Sequence, residues 1–369
     1  MRHCLALLAL VVAGPAFADD LRLNQIQVIG SHNSYHVAPT ADTLALIAAA
    51  RKDGAIALDY THRPLADQFE KLGIRQVELD VFADPAGGLF AKPSAYTVLK
   101  DRGKDPGPDP NAGNQLAKPG FKVLHLPDVD YRSTVPTFAE GLKQIRDWSK
   151  AHPRHVPILV LVELKDDGIP LMPTKPVKFD AKLLDALDAE ICAAFGKGST
   201  IAPDDVRGRF DTLPEAIRKR GWPTLADSRG KVFFALDNEG KLPALYLANH
   251  VALKGRAMFV LAESPTDAAA AFFKLNEPIQ DFDRIRKLVA DGFLVRTRAD
   301  ADTKEARTND AIRRDKALAS GAQFVSTDFP EPRTEWSNYR VRLPGAAVAR
   351  VNPVSGPPNG GADDVEHRK

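Results

Sequence analysis

The sequence predicts an α/β protein built as a single closed barrel of the TIM type, (β/α)8. Three observations carry this expectation. Eight short runs rich in Val, Ile, Leu and Phe are bounded by Gly, Pro or Asp, as buried parallel strands are. Helical periods lie between several of them, giving the strand–crossover alternation of a barrel. Polar residues gather at the carboxyl ends of the runs, the face on which such barrels build their sites.

Composition sets the bounds. The chain has 369 residues, with 44% hydrophobic and 27% charged content, enough to bury a large core. A formal net charge of +2 gives no argument for a nucleic-acid partner. Residues 1–18 read as an export signal: Arg2 and His3 precede the run LALLALVVAG, and Ala16-Phe17-Ala18 fits a cleavage site. The run is too short to span a bilayer. Cleavage would leave Asp19 as the terminus and Cys192 as the remaining cysteine, so no internal disulfide can form. The expected location is the periplasm or the medium.

The strand-like runs come in order. Ile26–Gly30 leads into His32 and Asn33, and Gln76–Phe82 carries Glu78 and Asp80. Phe121–Leu126 contains His125, and Ile158–Leu164 contains Glu163. Lys231–Leu236, Ala257–Leu261, Gly292–Arg296 and Gln323–Thr327 complete the set, the seventh bearing Arg296 with Arg298 just beyond it and the eighth followed by Asp328. Helical periods cover Phe138–His152, Ala181–Phe195, Asp267–Leu275, Asp281–Gly292 and Glu305–Gly321, with Thr137 and Thr266 as cap candidates. Cys192, on the second of these, reads as a packing residue. Two connections are abnormally long and rich in Pro or Gly, Asp84–Lys118 and Lys165–Lys178, and loops of that kind are usually functional. Their large apolar residues, Leu89, Phe90, Tyr96, Leu171 and Met172, could meet acyl chains or cover the barrel mouth. The domain is expected to end at residue 343, with 344–369 a disordered tail of Pro, Gly, Ala and charge.

Side chains alternate along a strand, so Glu78 and Asp80 point the same way. With Glu163 and the Asn33 side-chain carbonyl they make a set of hard oxygen donors, suited to Ca²⁺ or Mg²⁺ rather than a soft metal. Without a cation, three converging carboxylates would raise one another's pKa. His32 and His125, at the ends of the first and third runs, are natural acids, bases or charge stabilisers. Two histidines facing a cation-binding cluster suit phosphodiester hydrolysis or internal transfer. His36, His62, His152, His155 and His250 have no evident partners and read as surface or packing residues.

The stretches GSHNSYH (Gly30–His36), VELDVF (Val77–Phe82), VLHLPDVDYRSTVPTFAEGL (Val123–Leu142) and LVLVELKDD (Leu159–Asp167) resemble the bacterial calcium-dependent phosphoinositide phospholipase C enzymes. So do GFLVRTRADADT (Gly292–Thr303) and FVSTDFP (Phe324–Pro330). The resemblance implies that Asn33, Glu78, Asp80 and Glu163 hold Ca²⁺. It implies that His32 stabilises phosphoryl charge and that His125 protonates the departing diacylglycerol oxygen. The inositol 2-hydroxyl would be the nucleophile, Glu78 or Glu163 its base, and a cyclic inositol phosphate the first product. Lys165, Arg296 and Arg298 are candidates for binding the substrate phosphate.

Two other classes stay open. A glycerophosphodiester phosphodiesterase would use water as the nucleophile, although that group has His-Arg-Gly where this chain has His32-Asn33-Ser34. A non-catalytic, calcium-dependent phospholipid-binding barrel would bind without turnover. The expected partners are a phospholipid or glycerophosphodiester substrate and, transiently, a membrane surface. The chain is expected to act as a monomer.

Overall fold

The computed structural model describes residues 18–170, 172–358 and 363–367; the expected export signal up to residue 17, and Leu171, lie outside the described residues. Ten strands are present among the described residues: β1 (Ile26–Ser31), β2 (Gln76–Asp84), β3 (Gly120–Val123), β4 (Ile158–Leu164), β5 (Val232–Leu236), β6 (Met258–Val260), β7 (Phe272–Lys274), β8 (Leu294–Arg298), β9 (Phe324–Thr327) and β10 (Ala349–Val351). All but β3 and β10 form the barrel wall, in the order β6-β5-β4-β2-β1-β9-β8-β7 and parallel throughout. A parallel bridge between Leu261 and Phe272 joins β6 to β7 and closes the ring.

The expected barrel is therefore present, but one of its staves comes from a different segment. The run at Phe121–Leu126 is not a wall strand. As β3 it lies antiparallel on β2, pairing Val81 with Val123 and Asp84 with Gly120. The eighth wall strand is β7, inside the stretch Asp267–Leu275 that reads as a helix. Its alanines favour a helix by a few tenths of a kcal/mol per residue. Burying Phe272 and Phe273 in the wall contributes roughly 1.5–3 kcal/mol each, which decides the conformation. Thr266 accordingly caps no helix, whereas Thr137 does, accepting from the Glu140 amide at 3.2 Å.

Close strand contact sets one glycine. Any Cβ at Gly30 would collide with the Gln76 side chain, so β1 and β2 meet here only because position 30 is bare. The long connection after β2 is ordered. It contains the helix Ser94–Asp101 and buries Phe90 against Phe82 and Leu124, so Phe90 is unavailable to lipid. Met172, Leu89 and Tyr96 remain half-buried. Cys192 is exposed on its helix rather than packed in the core. No helix among the described residues is long and apolar enough to cross a membrane.

The expectation of a disordered tail after residue 343 does not hold for its described part. β10 pairs antiparallel with the first half of β1, where β2 does not reach. It thereby satisfies backbone groups that would otherwise lie open at an edge. Val365 is fully buried, and Glu366 forms a two-pronged ion pair with Arg75, at 2.6 Å on one prong. Composition failed here because a three-residue strand and one anchoring carboxylate need few apolar residues.

Both members of the Arg75–Glu366 pair are nearly inaccessible. Removing one partner of a buried pair strands the other. Glu366→Gln should therefore lower the unfolding free energy by about 3 kcal/mol, read as a drop of several degrees in melting temperature. An unchanged melting curve would mean that the tail contributes nothing to the fold.

Candidate active site

Register carries the polar residues to one place. Asp80 pairs with Glu163 across β2 and β4, and Val162 with Leu236 across β4 and β5, so Asp237 lies one step further at the end of β5. On the opposite wall Lys274 pairs with Arg296, and Ser31 with Thr327, one residue short of His32 and Asp328. Cross-strand partners project to the same face of a sheet. These side chains consequently converge inside the carboxyl end of the barrel.

The turn after β1 is fastened to β2. Ser34 donates its amide to the Glu78 carbonyl at 2.9 Å, and its hydroxyl accepts from the Glu78 amide at 2.8 Å. Asn33 adopts a left-handed backbone (φ 43°), a conformation asparagine tolerates better than most residues. Its side-chain nitrogen donates to the Tyr60 hydroxyl at 3.1 Å, and its buried Oδ1 takes no hydrogen bond.

Oxygens of Glu78, Glu163 and Asp237 lie within 4.8 Å of one another. Asp237 is absent from the sequence reading, although an acidic residue directly after an apolar run, as in VFFALD, was the available signal. Asp80 stands beside this group. Neither of its oxygens accepts a hydrogen bond of normal geometry, but Lys165 Nζ lies 3.2 Å from Oδ2 and 2.8 Å from Glu163 Oε1. Basic residues offset the charge elsewhere too. Arg296 donates to Glu78 at 2.7 Å, and Lys274 lies 3.3 Å from Asp237 Oδ2. Of the residues expected to bind substrate phosphate, Lys165 and Arg296 are thus engaged with the carboxylates.

Burial raises the Glu78, Asp80 and Asp237 carboxyls, against the opposing pull of Arg296, Lys165 and Lys274 respectively. Burial works the same way on Glu163, but there Lys165 prevails and the pKa falls. An unpartnered amide oxygen, unpartnered carboxylate oxygens and a carboxylate trio form a hard, all-oxygen donor set. That set fits a Ca²⁺-like divalent ion and would be returned to its ionised form by one.

The histidines are each held by a carboxylate through Nδ1. His32 Nδ1 donates to Asp328 at 2.7 Å, and Arg298 reaches both Asp328 (2.8 Å) and His32 Nε2 (3.3 Å). Burial, then the Arg298 guanidinium, push the His32 imidazole well below its ordinary pKa despite Asp328. In this arrangement Nε2 accepts from Arg298. Asp328, directly after the last wall strand, is the orienting partner of His32.

His125 lies in the loop after β3, not on a wall strand. Its Nδ1 donates to Asp130 at 2.8 Å. Asp130 also accepts from His36 Nε2 at 2.9 Å, while His36 Nδ1 donates to the Tyr60 carbonyl at 3.0 Å. His36 is fully buried and belongs to the site's framework, which its sequence context did not disclose. Tyr60 stacks on His36 at 4.2 Å and lies 6.4 Å from His32, centroid to centroid, linking the two histidine groups.

An inward-facing carboxylate cluster with two oriented histidines at the mouth of a (β/α)8 barrel suits cation-assisted chemistry on phosphate esters. The family model for calcium-dependent phosphoinositide phospholipase C matches residues 21–353, and the chain belongs to that family. It is accordingly an enzyme of the phosphodiesterase class. Among solved structures, a calcium-dependent phosphoinositol-specific phospholipase C from Pseudomonas sp. superposes with a TM-score of 0.53 at 13% identity, over 90% of this chain and 96% of that one. A calcium-dependent phosphatidylinositol-specific phospholipase C from Streptomyces antibioticus gives 0.52 at 19% identity, over 84% and 95%. At these identities the likeness establishes the fold. A search of curated protein sequences finds no match.

Burial would raise the Asp130 carboxyl, but the imidazoles of His36 and His125 outweigh it and hold the pKa at about 2. A depressed carboxylate stabilises the fold above its ordinary value near pH 4 and ceases to do so as the pH falls toward 2. The stability gap between wild type and Asp130→Asn should be about 2 kcal/mol at neutral pH. It should close between about pH 4 and pH 2. Urea unfolding at pH 7, 4 and 2 tests this, and a gap independent of pH would contradict the assignment.

Proposed function

We propose that the chain cleaves a phosphoinositide-type phospholipid between phosphorus and the glycerol oxygen. The inositol 2-hydroxyl would attack phosphorus and release diacylglycerol and a cyclic inositol phosphate, open to later hydrolysis. The observation that favours this reading is the pairing of an all-oxygen donor cluster with two histidines, each oriented by its own carboxylate. Asn33, Glu78, Asp80 and Glu163 would hold Ca²⁺. When bound, the ion supplies Lewis-acid polarisation of a phosphate oxygen and lowers the pKa of the attacking hydroxyl.

The remaining work falls to the chain's own groups. Glu163 is the better placed of the two candidate bases, with 29% of its side chain exposed against 2% for Glu78. It takes the hydroxyl proton while the new P–O bond forms. His125, anchored through Nδ1 to Asp130, keeps 22% of its side chain exposed and has Nε2 available to protonate the glycerol oxygen as the P–O bond breaks. Arg298, held on Asp328, opposes the charge that develops on the phosphoryl oxygens, and His32 beside it joins in once the negative phosphate draws a proton onto Nε2. Residues 1–18 would be a cleavable export signal placing the enzyme in the periplasm or the medium, and the membrane contact would be transient.

Turnover should be measured on phosphatidylinositol and on glycerophosphoinositol, with and without EGTA. The reading expects a calcium-dependent cyclic product from the lipid. An acyclic product formed directly from a glycerophosphodiester would instead identify water as the nucleophile, and full activity in EGTA would remove the metal.

His125→Ala should slow turnover by about 10²-fold or more. A substrate with a low-pKa leaving group should suffer much less, because it departs without a proton. His32→Ala should be slow with both substrates. Equal losses for His125→Ala on the two leaving groups would remove His125 from the acid role.

A further inference from the structure

We propose that Asp237 is an additional direct ligand of the divalent ion. The proposal rests on the carboxylate cluster being a cation site, and it extends that site to a residue on β5 outside the expected set of Asn33, Glu78, Asp80 and Glu163. Three independent features of Asp237 converge. It follows Leu236, the register partner of Val162, and donates its amide to the Val162 carbonyl at 2.8 Å, which fixes it beside Glu163. One of its carboxylate oxygens lies within 4.8 Å of oxygens of both Glu78 and Glu163. The residue is 2% exposed, and Oδ1 has no hydrogen-bond partner.

A buried, unpartnered carboxylate oxygen costs free energy unless a cation meets it. Lys274 does not remove the need. It donates to the Asp237 main-chain carbonyl at 2.7 Å and to Oδ2 at 3.3 Å, leaving Oδ1 without a partner. Glu78, Glu163 and Asp237 are the carboxylates whose oxygens lie within 4.8 Å of one another, and Asp80 stands outside that grouping. A hard cation takes six to eight oxygen ligands when it is calcium, so a further carboxylate can be accommodated. Its negative charge offsets part of the positive charge that Lys165, Lys274 and Arg296 bring to the same barrel interior.

The test uses the full chain and two probes: Ca²⁺ by calorimetry, and Tb³⁺, a hard lanthanide, by luminescence lifetimes in H₂O and D₂O, which count the waters on the ion. Asp237→Asn keeps the shape of the side chain and removes its charge. It should raise the Ca²⁺ dissociation constant about tenfold or more, and Asp237→Ala, which removes the side-chain oxygens altogether, should add a coordinated water on Tb³⁺. Asp237→Glu, which keeps the charge but moves the oxygens, should also change affinity and water count. Unchanged affinity in Asp237→Asn overturns the proposal. So does an unchanged water count in Asp237→Ala, since Asp237 would then act through charge alone. Should Asp237→Asn fail to show a native near-ultraviolet spectrum, Asp237→Glu decides, and wild-type affinity and lifetimes in that variant overturn the proposal. A wild-type protein that binds neither ion would fail the cation-site reading itself, and Asp237 with it.

Discussion

Everything at the mouth of this barrel depends on compensating negative charge in a place with little water. Glu78, Asp80 and Asp237 are almost wholly buried, and Glu163 stands among them. Unpaired carboxylates in such a site would cost several kcal/mol each or take up protons. The chain answers with Arg296 against Glu78, Lys165 between Asp80 and Glu163, and Lys274 beside Asp237. The compensation is incomplete, since oxygens of Asn33, Asp80 and Asp237 stay without hydrogen bonds. Those bare oxygens are the donors on which the proposed divalent cation site rests.

The histidines obey a related constraint. The hydrogen bond that one ring nitrogen makes fixes which nitrogen an imidazole presents. Asp328 does this for His32 and Asp130 for His125. Each of these carboxylates is steadied from behind. Asp328 receives Arg298, and its amide donates to Asp300; Asp130 receives His36. Loop anchors extend the same rigidity outward. Asp128 accepts from the Ser94 amide and from the amide and hydroxyl of Thr174, fastening the proline-rich connection after β4 to the one after β2. Those two long connections are thus parts of one frame around the entrance.

The wall that carries these groups is irregular where it can be. β3 is attached to β2 outside the ring, β7 closes the ring with three residues, and β10 covers the part of β1 that β2 leaves bare. The parallel pairs nearest the site, β2 with β4 and β4 with β5, are the long and regular ones. Regularity is concentrated where register must deliver Glu78, Asp80, Glu163 and Asp237 to one point.

The sequence by itself determined the barrel, because runs such as ILVLVEL are too apolar and too β-branched to be anything but buried wall. It also determined most of the polar set, because Glu78 and Asp80 two apart on one run must share a face, and because His32-Asn33 and Glu163 sit at run ends. It did not disclose Asp237 or Lys274, whose proximity to Glu163 and Glu78 depends on which strands are neighbours and in which register. It misread β7 as helix because propensity is local, whereas the burial of Phe272 and Phe273 is not. It left His36 among the packing residues because its partner, Asp130, is 94 positions away in the chain. It took the segment after residue 343 for disorder because composition measures apolar content, and this segment is held by backbone pairing and one ion pair. Periodicity is written along the chain; charge compensation and strand adjacency arise only when distant segments meet, and there the tertiary structure decided.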